Sequence, residues 1–268
     1  MIRISYLGYS EDMLLAIKKD NDFELTYVVG VKGRLSEEYY KLIQEGSFEY
    51  YEIENRKDLL ALIDVFENSD LVLMYKFEFI IPESLINHTR MINFHGGSLY
   101  YNRGAHAVVW SVLLREQTTC LSCYELTGGI DEGNLIDTYQ VEILKDDSVI
   151  EVNNKLKQGI PQLLISVKDY LKGNIKATNV VGGVYRRKIK ESDFTINLNS
   201  DSIDEIRGKV LSQIGYSGAI LYLNSKSYRV KEYRNIIGDN SFRKIIIERN
   251  RIILKEKDGI ELFLTEDV

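Results

Sequence analysis

Two cysteines, no long apolar run and no excess of positive charge set the first limits on this 268-residue chain. Cys120 and Cys123 are the only thiols, in the segment TTCLSCYEL. That segment reads as a strand, where residues three apart point to opposite faces, and no second pair of ligands accompanies them. The C-L-S-C spacing therefore implies neither a metal site nor a redox pair. A stretch of about 18 apolar residues, the length needed to span a bilayer, is absent. The opening MIRISYLGYSEDMLL lacks an apolar core followed by a small-residue cleavage site, so a cytoplasmic protein without membrane association is expected. Net charge is −6, and the chain as a whole lacks the positive field that draws proteins to nucleic-acid phosphates. Neither G-x-G-x-x-G nor a glycine-rich lysine loop occurs, which removes the usual signatures of dinucleotide and ATP binding. No internal repeat or low-complexity segment is visible.

What is present is an ordinary globular balance, 44% apolar and 28% charged residues, in a chain long enough for one large and one smaller domain. Over the first part, short apolar runs alternate with helical patterns, the signature of a parallel sheet with crossover helices. IRISYLG, LTYVVGV, Tyr50 to Ile53, DLVLMY, RMINFH, TTCLSCYEL and LIDTYQVEI read as strands. Ser10 caps a helix over Glu11 to Lys19. SEEYYKLIQEG, LLALIDVFENS, PESLINH and AHAVVWSVLL read as further helices. KLKQGIPQLLISVKDYLKG is amphipathic, with Pro161 either inside a long helix or marking a break. A Rossmann-like α/β domain with a parallel central sheet is expected over 1–175. From 176 to 268 the pattern changes to GVYRRKI, AILYLN, SYRVKEYRNI, KIIIERNRIILKEK and GIELFLT, with SIDEIRGKVLSQI as the one helix. This predicts a small, mostly β domain whose strand edges need a partner, and hence a homodimer.

The chemistry is concentrated in MINFHGGSLYYNRGAHAVVW and, downstream, LTGGIDEGNLI. Asn93 and His95 are two apart on a strand and share a face. They stand at its carboxyl end, where open α/β sheets bind ligands. Gly96 and Gly97 remove side-chain bulk beside them. Asp131 follows Gly128 and Gly129 in a turn from which a carboxylate can be aimed at the imidazole. Together the three supply a neutral donor, a base that titrates near neutrality and an orienting anion. His106 lies in a helix-starting loop, suited to capping or to substrate, and His88 reads as a surface residue.

The order of these features resembles the formyltransferase family of methionyl-tRNA formyltransferase, glycinamide ribonucleotide formyltransferase and the sugar formyltransferases. That family runs from a strand ending in N-x-H through a Gly/Ser loop to an R-G pair, a helix bearing Trp, a strand and an I-D-x-G turn. Here these stand as Asn93-Phe94-His95, Gly96-Gly97-Ser98-Leu99, Arg103-Gly104, Trp110 and Ile130-Asp131-Glu132-Gly133, with 38 positions from Asn93 to Asp131. Tyr100 and Ala107 stand where the family often has proline, so the substrate-facing loop 98–107 differs. The resemblance implies N10-formyltetrahydrofolate as co-substrate and Asn93, His95 and Asp131 as the catalytic trio. It places the pterin near Tyr75, Lys76, Gly128 and Ile130, and substrate near Arg103 and Gly104. VYRRKIKESDFTIN resembles a region of the sugar formyltransferases, with Tyr185, Arg186, Arg187 and Asp193 in matching positions. Arg207 and Gly218-Ala219 continue the likeness. Arginine forks suit a diphosphate, so the acceptor implied is a UDP- or dTDP-linked deoxy-aminosugar, including a pseudaminic-acid-type precursor. The methionyl-tRNA enzymes carry a larger, basic C-terminal domain, which argues against nucleic acid here. The alternatives are formylation of methionyl-tRNA or another large amine, and a folate- or nucleotide-binding regulator that has lost catalysis.

Overall fold

In the computed structural model, which describes residues 1–237 and 243–266, the chain opens on β1 (Ile2–Gly8) and α1 (Glu11–Lys19). The Ser10 hydroxyl accepts the Met13 amide at 3.4 Å; Glu11 and Asp12 in the first turn and Lys18 and Lys19 in the last complement the helix dipole. There follow β2 (Phe23–Val31), α2 (Glu37–Gln44) and β3 (Glu49–Ile53). A 3-10 turn over Arg56–Leu62 leads into α3 (Ile63–Glu67) and β4 (Leu71–Tyr75). Then come α4 (Glu83–Ile86), β5 (Met91–His95), α5 (Ala107–Leu113), β6 (Thr118–Glu125) and β7 (Asn134–Glu142). The series ends with α6 (Val149–Lys157), α7 (Ile160–Leu171) and the two-residue β8 (Thr178–Asn179).

These strands form one eight-stranded sheet in the order β3-β2-β1-β4-β5-β6-β7-β8. From β3 to β5 every pairing is parallel. β5 then pairs antiparallel with β6, and β7 with β8. The Rossmann-like domain is therefore present, with its parallel sheet extended on one side by antiparallel strands. The carboxyl ends of β1, β4 and β5 share one edge, and the strand order reverses between β1 and β4, the arrangement that opens a ligand crevice. Leu7, Val29, Val72, Met74 and Met91 are buried in one core layer with Phe66 and Leu85.

The remaining chain forms a second sheet. It comprises β9 (Thr195–Ile196), β10 (Ala219–Leu223), β11 (Lys226–Ile237), β12 (Lys244–Ile247), β13 (Arg251–Lys255) and β14 (Asp258–Glu266). Their order is β12-β13-β14-β11-β10-β9, antiparallel apart from β9 on β10. The helix α8 (Ile203–Leu211), held at its start by a capping box between Ser202 and Glu205, buries Ile206 and Val210 with Val230, Leu254 and Ile260.

Three local readings change. LLALIDVFENS is not one helix: the Asn55–Asp58 capping box winds its first part as a 3-10 turn. Pro161 marks a break and sits in the first turn of α7, where its missing N–H would be unpaired in any residue. GVYRRKI is not a strand; only Tyr185 forms a bridge, to Arg103. Gly182 and Gly183 stand at φ of 76° and 113°, conformations outside the strand region. The compact units also interleave. One takes 1–104, 120–140 and 156–185, the other 105–119, 141–155 and 186–268, so α5 and most of α6 count with the second sheet. A division at 175/176 does not follow that boundary.

Candidate active site

Strand alternation settles which side of β5 carries chemistry. Ile92 and Phe94 are buried, while Asn93 and His95 are half-buried on the other face. β6 runs antiparallel beside it with Tyr124 opposite Asn93 and Ser122 opposite His95, so these four side chains share that face. The Ser122 hydroxyl donates to the Gly97 carbonyl at 2.7 Å and fixes the turn that leaves β5.

Around Tyr124 the polar groups close into a chain. The Asn93 amide Nδ2 donates to the Tyr124 hydroxyl at 2.7 Å, and that hydroxyl donates to Asp131 Oδ1 at 2.7 Å. Asp131 Oδ2 accepts the Gly104 backbone N–H at 2.7 Å and lies 3.6 Å from His95 Nδ1. On the other side of the ring, His95 Nε2 is 2.7 Å from the Asn102 carbonyl. A carbonyl only accepts, so Nε2 carries the hydrogen and Nδ1 faces the carboxylate. Asp131 is 9% exposed and adopts the left-handed region at φ 51°, which aspartate tolerates better than most residues. Gly104, at φ 94°, presents its N–H to the carboxylate from a conformation that a side chain would oppose. The trio predicted from sequence is thus brought together, with Asn93 and Asp131 joined through a residue that sequence reasoning missed.

The expected cofactor positions separate. The Tyr75 ring is buried, edge-on to Phe94 at 6.4 Å, and burial pushes its phenol up. Lys76 follows at the end of β4 in the left-handed region, φ 53°; burial, then Lys157, pushes its ammonium down. Gly128 has open space where a Cβ would be, and Ile130 is exposed. Of these four, Gly128 and Ile130 are the ones open to an incoming ligand. Arg103 is 6% exposed. Its Nε donates to the Leu99 carbonyl at 2.6 Å and its Nη2 to the Val180 carbonyl at 3.0 Å, tying loop 98–104 to 180–185. Tyr185 is exposed.

In the other unit, Arg186 and Arg187 both lie over the Trp110 ring, at 5.9 and 5.4 Å from its centre. The Trp110 Nε1–H donates to the Arg187 carbonyl at 2.9 Å. Arg187 makes a two-pronged pair with Asp193, at 2.8 and 2.6 Å, and Arg186 is 4.0 Å from Glu116. His106 occupies the N-cap position of α5 in the left-handed region without a side-chain cap bond. Burial, then Lys188, pushes its imidazole down.

Residues 40–167, which contain all of Asn93, His95 and Asp131, match the formyl transferase family. The methionyl-tRNA formyltransferase of Sulfurihydrogenibium sp. (strain YO3AOP1) is 29% identical over 168 residues, 61% of this chain and 53% of that protein. The chain thus spans about half the length of that curated relative. Among solved structures, WlaRD, a sugar 3N-formyl transferase determined in the presence of dTDP and 5-N-formyl-THF, superposes with a TM-score of 0.76 at 16% identity, covering 100% of this chain and 99% of that one. The N-formyltransferase from Helicobacter canadensis, in complex with folinic acid and dTDP-3-aminofucose, gives 0.71 at 15% identity with 100% of both chains covered. At these identities the likeness concerns the fold, and it extends to the second, β-rich sheet of this chain. Among the described residues no helix is long and apolar enough to cross a membrane.

Proposed function

We propose that this protein is a formyl transferase that moves the formyl group of N10-formyltetrahydrofolate onto the amino group of a nucleotide-linked deoxy-aminosugar, giving a formamido sugar. The observation that carries the reaction is the joined set of Asn93, His95 and Asp131 at the carboxyl end of the sheet, inside the segment that matches the family. The acceptor amine attacks the formyl carbon. Asn93 donates to the oxygen as it gains negative charge, a contribution of about 3 kcal/mol for a well-placed donor. With Nε2–H held by the Asn102 carbonyl, the nitrogen with a free lone pair is Nδ1. It takes the amine proton, and the Asp131 carboxylate stabilises the resulting imidazolium; as the tetrahedral intermediate collapses the C–N10 bond breaks, and the imidazolium returns that proton to N10, releasing tetrahydrofolate.

For the acceptor, the supporting observation is the fold: the two sugar formyltransferases superpose over all of this chain with TM-scores of 0.76 and 0.71, and that likeness takes in the second sheet. On this reading Tyr185 contacts the acceptor, the approach to Gly128 and Ile130 admits the pterin, and the molecule works as a cytoplasmic homodimer. The sequence likeness at 29% identity favours methionyl-tRNA as the second reading.

Incubation of the full chain with 10-formyltetrahydrofolate and a panel of UDP- and dTDP-linked 3-amino and 4-amino sugars, with methionyl-tRNA alongside, tests both. Mass spectrometry is expected to find one added formyl group on an aminosugar nucleotide. Formylation of methionyl-tRNA alone would replace the acceptor. A rise in melting temperature with reduced folate but no transfer to any amine would leave a folate-binding regulator.

A further inference from the structure

Tyr124 is absent from the set of groups that the reaction needs, yet it lies at the centre of them. Its ring is 1% exposed, packed with Leu99 and Val180. Its hydroxyl has a single hydrogen, and an ionised carboxylate can only accept, so the 2.7 Å contact with Asp131 Oδ1 fixes where that hydrogen points. The oxygen's lone pairs are then the only thing it can offer Asn93. This decides an orientation that an amide side chain otherwise leaves open: Nδ2 faces Tyr124 at 2.7 Å, and Oδ1 points away. One Nδ2–H is used by Tyr124 and the second remains for a forming oxyanion. Burial, then the Asp131 charge, pushes the phenol well above its usual range, so the proton stays on Tyr124 while the reaction proceeds.

We infer that Tyr124 is a positioning residue for formyl transfer, which sets the Asn93 amide with an N–H toward the reacting carbonyl and couples that amide to the Asp131 carboxylate. The inference rests on the function proposed above. A hydroxyl that donates to an anion is a better acceptor, so the Asn93 bond is stiffened by Asp131. Without the hydroxyl the amide can rotate and present Oδ1, an acceptor, to developing negative charge.

The experiment is steady-state kinetics of Tyr124→Phe, which removes one oxygen and keeps the buried ring, together with Asn93→Ala and the double variant. We expect kcat to fall about 10-fold or more with both KM values within about twofold, and little further loss when Tyr124→Phe is added to Asn93→Ala. A purely structural tyrosine would instead scale kcat by the same factor in both backgrounds. Tyr124→His retains one donor and one acceptor and is expected to recover part of the loss; it carries the test if the Phe variant is unfolded by circular dichroism. A folded Phe variant with wild-type kcat overturns the inference alone, as does a folded His variant no better than a Phe variant that folds, or without activity where the Phe variant does not. A wild-type protein that formylates no amine removes the proposed function and this inference together.

Discussion

Each polar group at the site answers to a specific neighbour, so single-atom changes have separable effects. On the proposed mechanism, His95→Ala would remove the proton acceptor, and Asn93→Ala the oxyanion donor. Either is expected to lower kcat about 10²-fold or more while stability stays within about 1 kcal/mol, because both lie on the polar face of β5 and not in the apolar core. Asp131→Asn has a second consequence: one of its oxygens becomes an NH₂ facing the Gly104 N–H or the Tyr124 hydroxyl, which costs stability by about 1–3 kcal/mol besides the fall in kcat. Kinetics and denaturant unfolding on the same three proteins check this; a folded His95→Ala enzyme with near wild-type turnover would remove His95 as the base. The meeting of these three residues was legible because spacing puts Asn93 and His95 on one face and the glycine turn aims Asp131. Tyr124 was not. A tyrosine in TTCLSCYEL looks like any core aromatic until the register that sets it opposite Asn93 is known, and register is a property of two strands. Arg103 shows the converse: an Arg-Gly pair beside the turn suggests a ligand contact, and only the fold shows that its guanidinium also bonds the carbonyls of Leu99 and Val180.

Elements were readable where periodicity and caps agreed, as in α1 with Ser10 before it, and α8 with Ser202 and Glu205. They failed where backbone conformation was decisive. The doublet Gly182-Gly183 breaks the strand expected over GVYRRKI, and 184–190 becomes a segment anchored by side chains instead. Its anchor is Arg187 on Asp193. The Arg187 guanidinium, through its hydrogen bonds, holds the Asp193 carboxyl below the usual 3.8. A depressed folded pKa means stability that is present above the unfolded value and lost as pH falls through the folded one. Arg187→Ala should therefore lower the melting temperature at neutral pH, with the gap to wild type closing as the pH drops below that range. Asp193→Asn should give the same neutral-pH loss. Unchanged melting in both, with a raised acceptor KM in Arg187→Ala, would instead assign this arginine to the substrate.

At the scale of the molecule, composition separated a Rossmann-like part from a β-rich part but could not show that 105–119 and 141–155 count with the second sheet, since contacts between distant segments leave no trace in local pattern. Another whole-molecule property is readable from the burial of tyrosine. The chain has 18 tyrosines, and Tyr6, Tyr39 and Tyr124 are at most 1% exposed, each with its phenol pushed above the usual 10.0 chiefly by burial. In the unfolded chain these phenols ionise at the ordinary value. A raised folded pKa means that their contribution is complete below pH 10.0 and is lost as pH rises toward the folded values, because the unfolded state gains by ionising first. Added negative charge on a chain already at −6 acts in the same direction. Alkaline titration followed by phenolate absorbance and circular dichroism should thus show the last part of the phenolate signal rising in the same step in which secondary structure is lost. If all the phenols ionised with the fold intact, Tyr124 could lose its proton within a native site, and the fixed direction of its bond to Asp131 would not hold at alkaline pH.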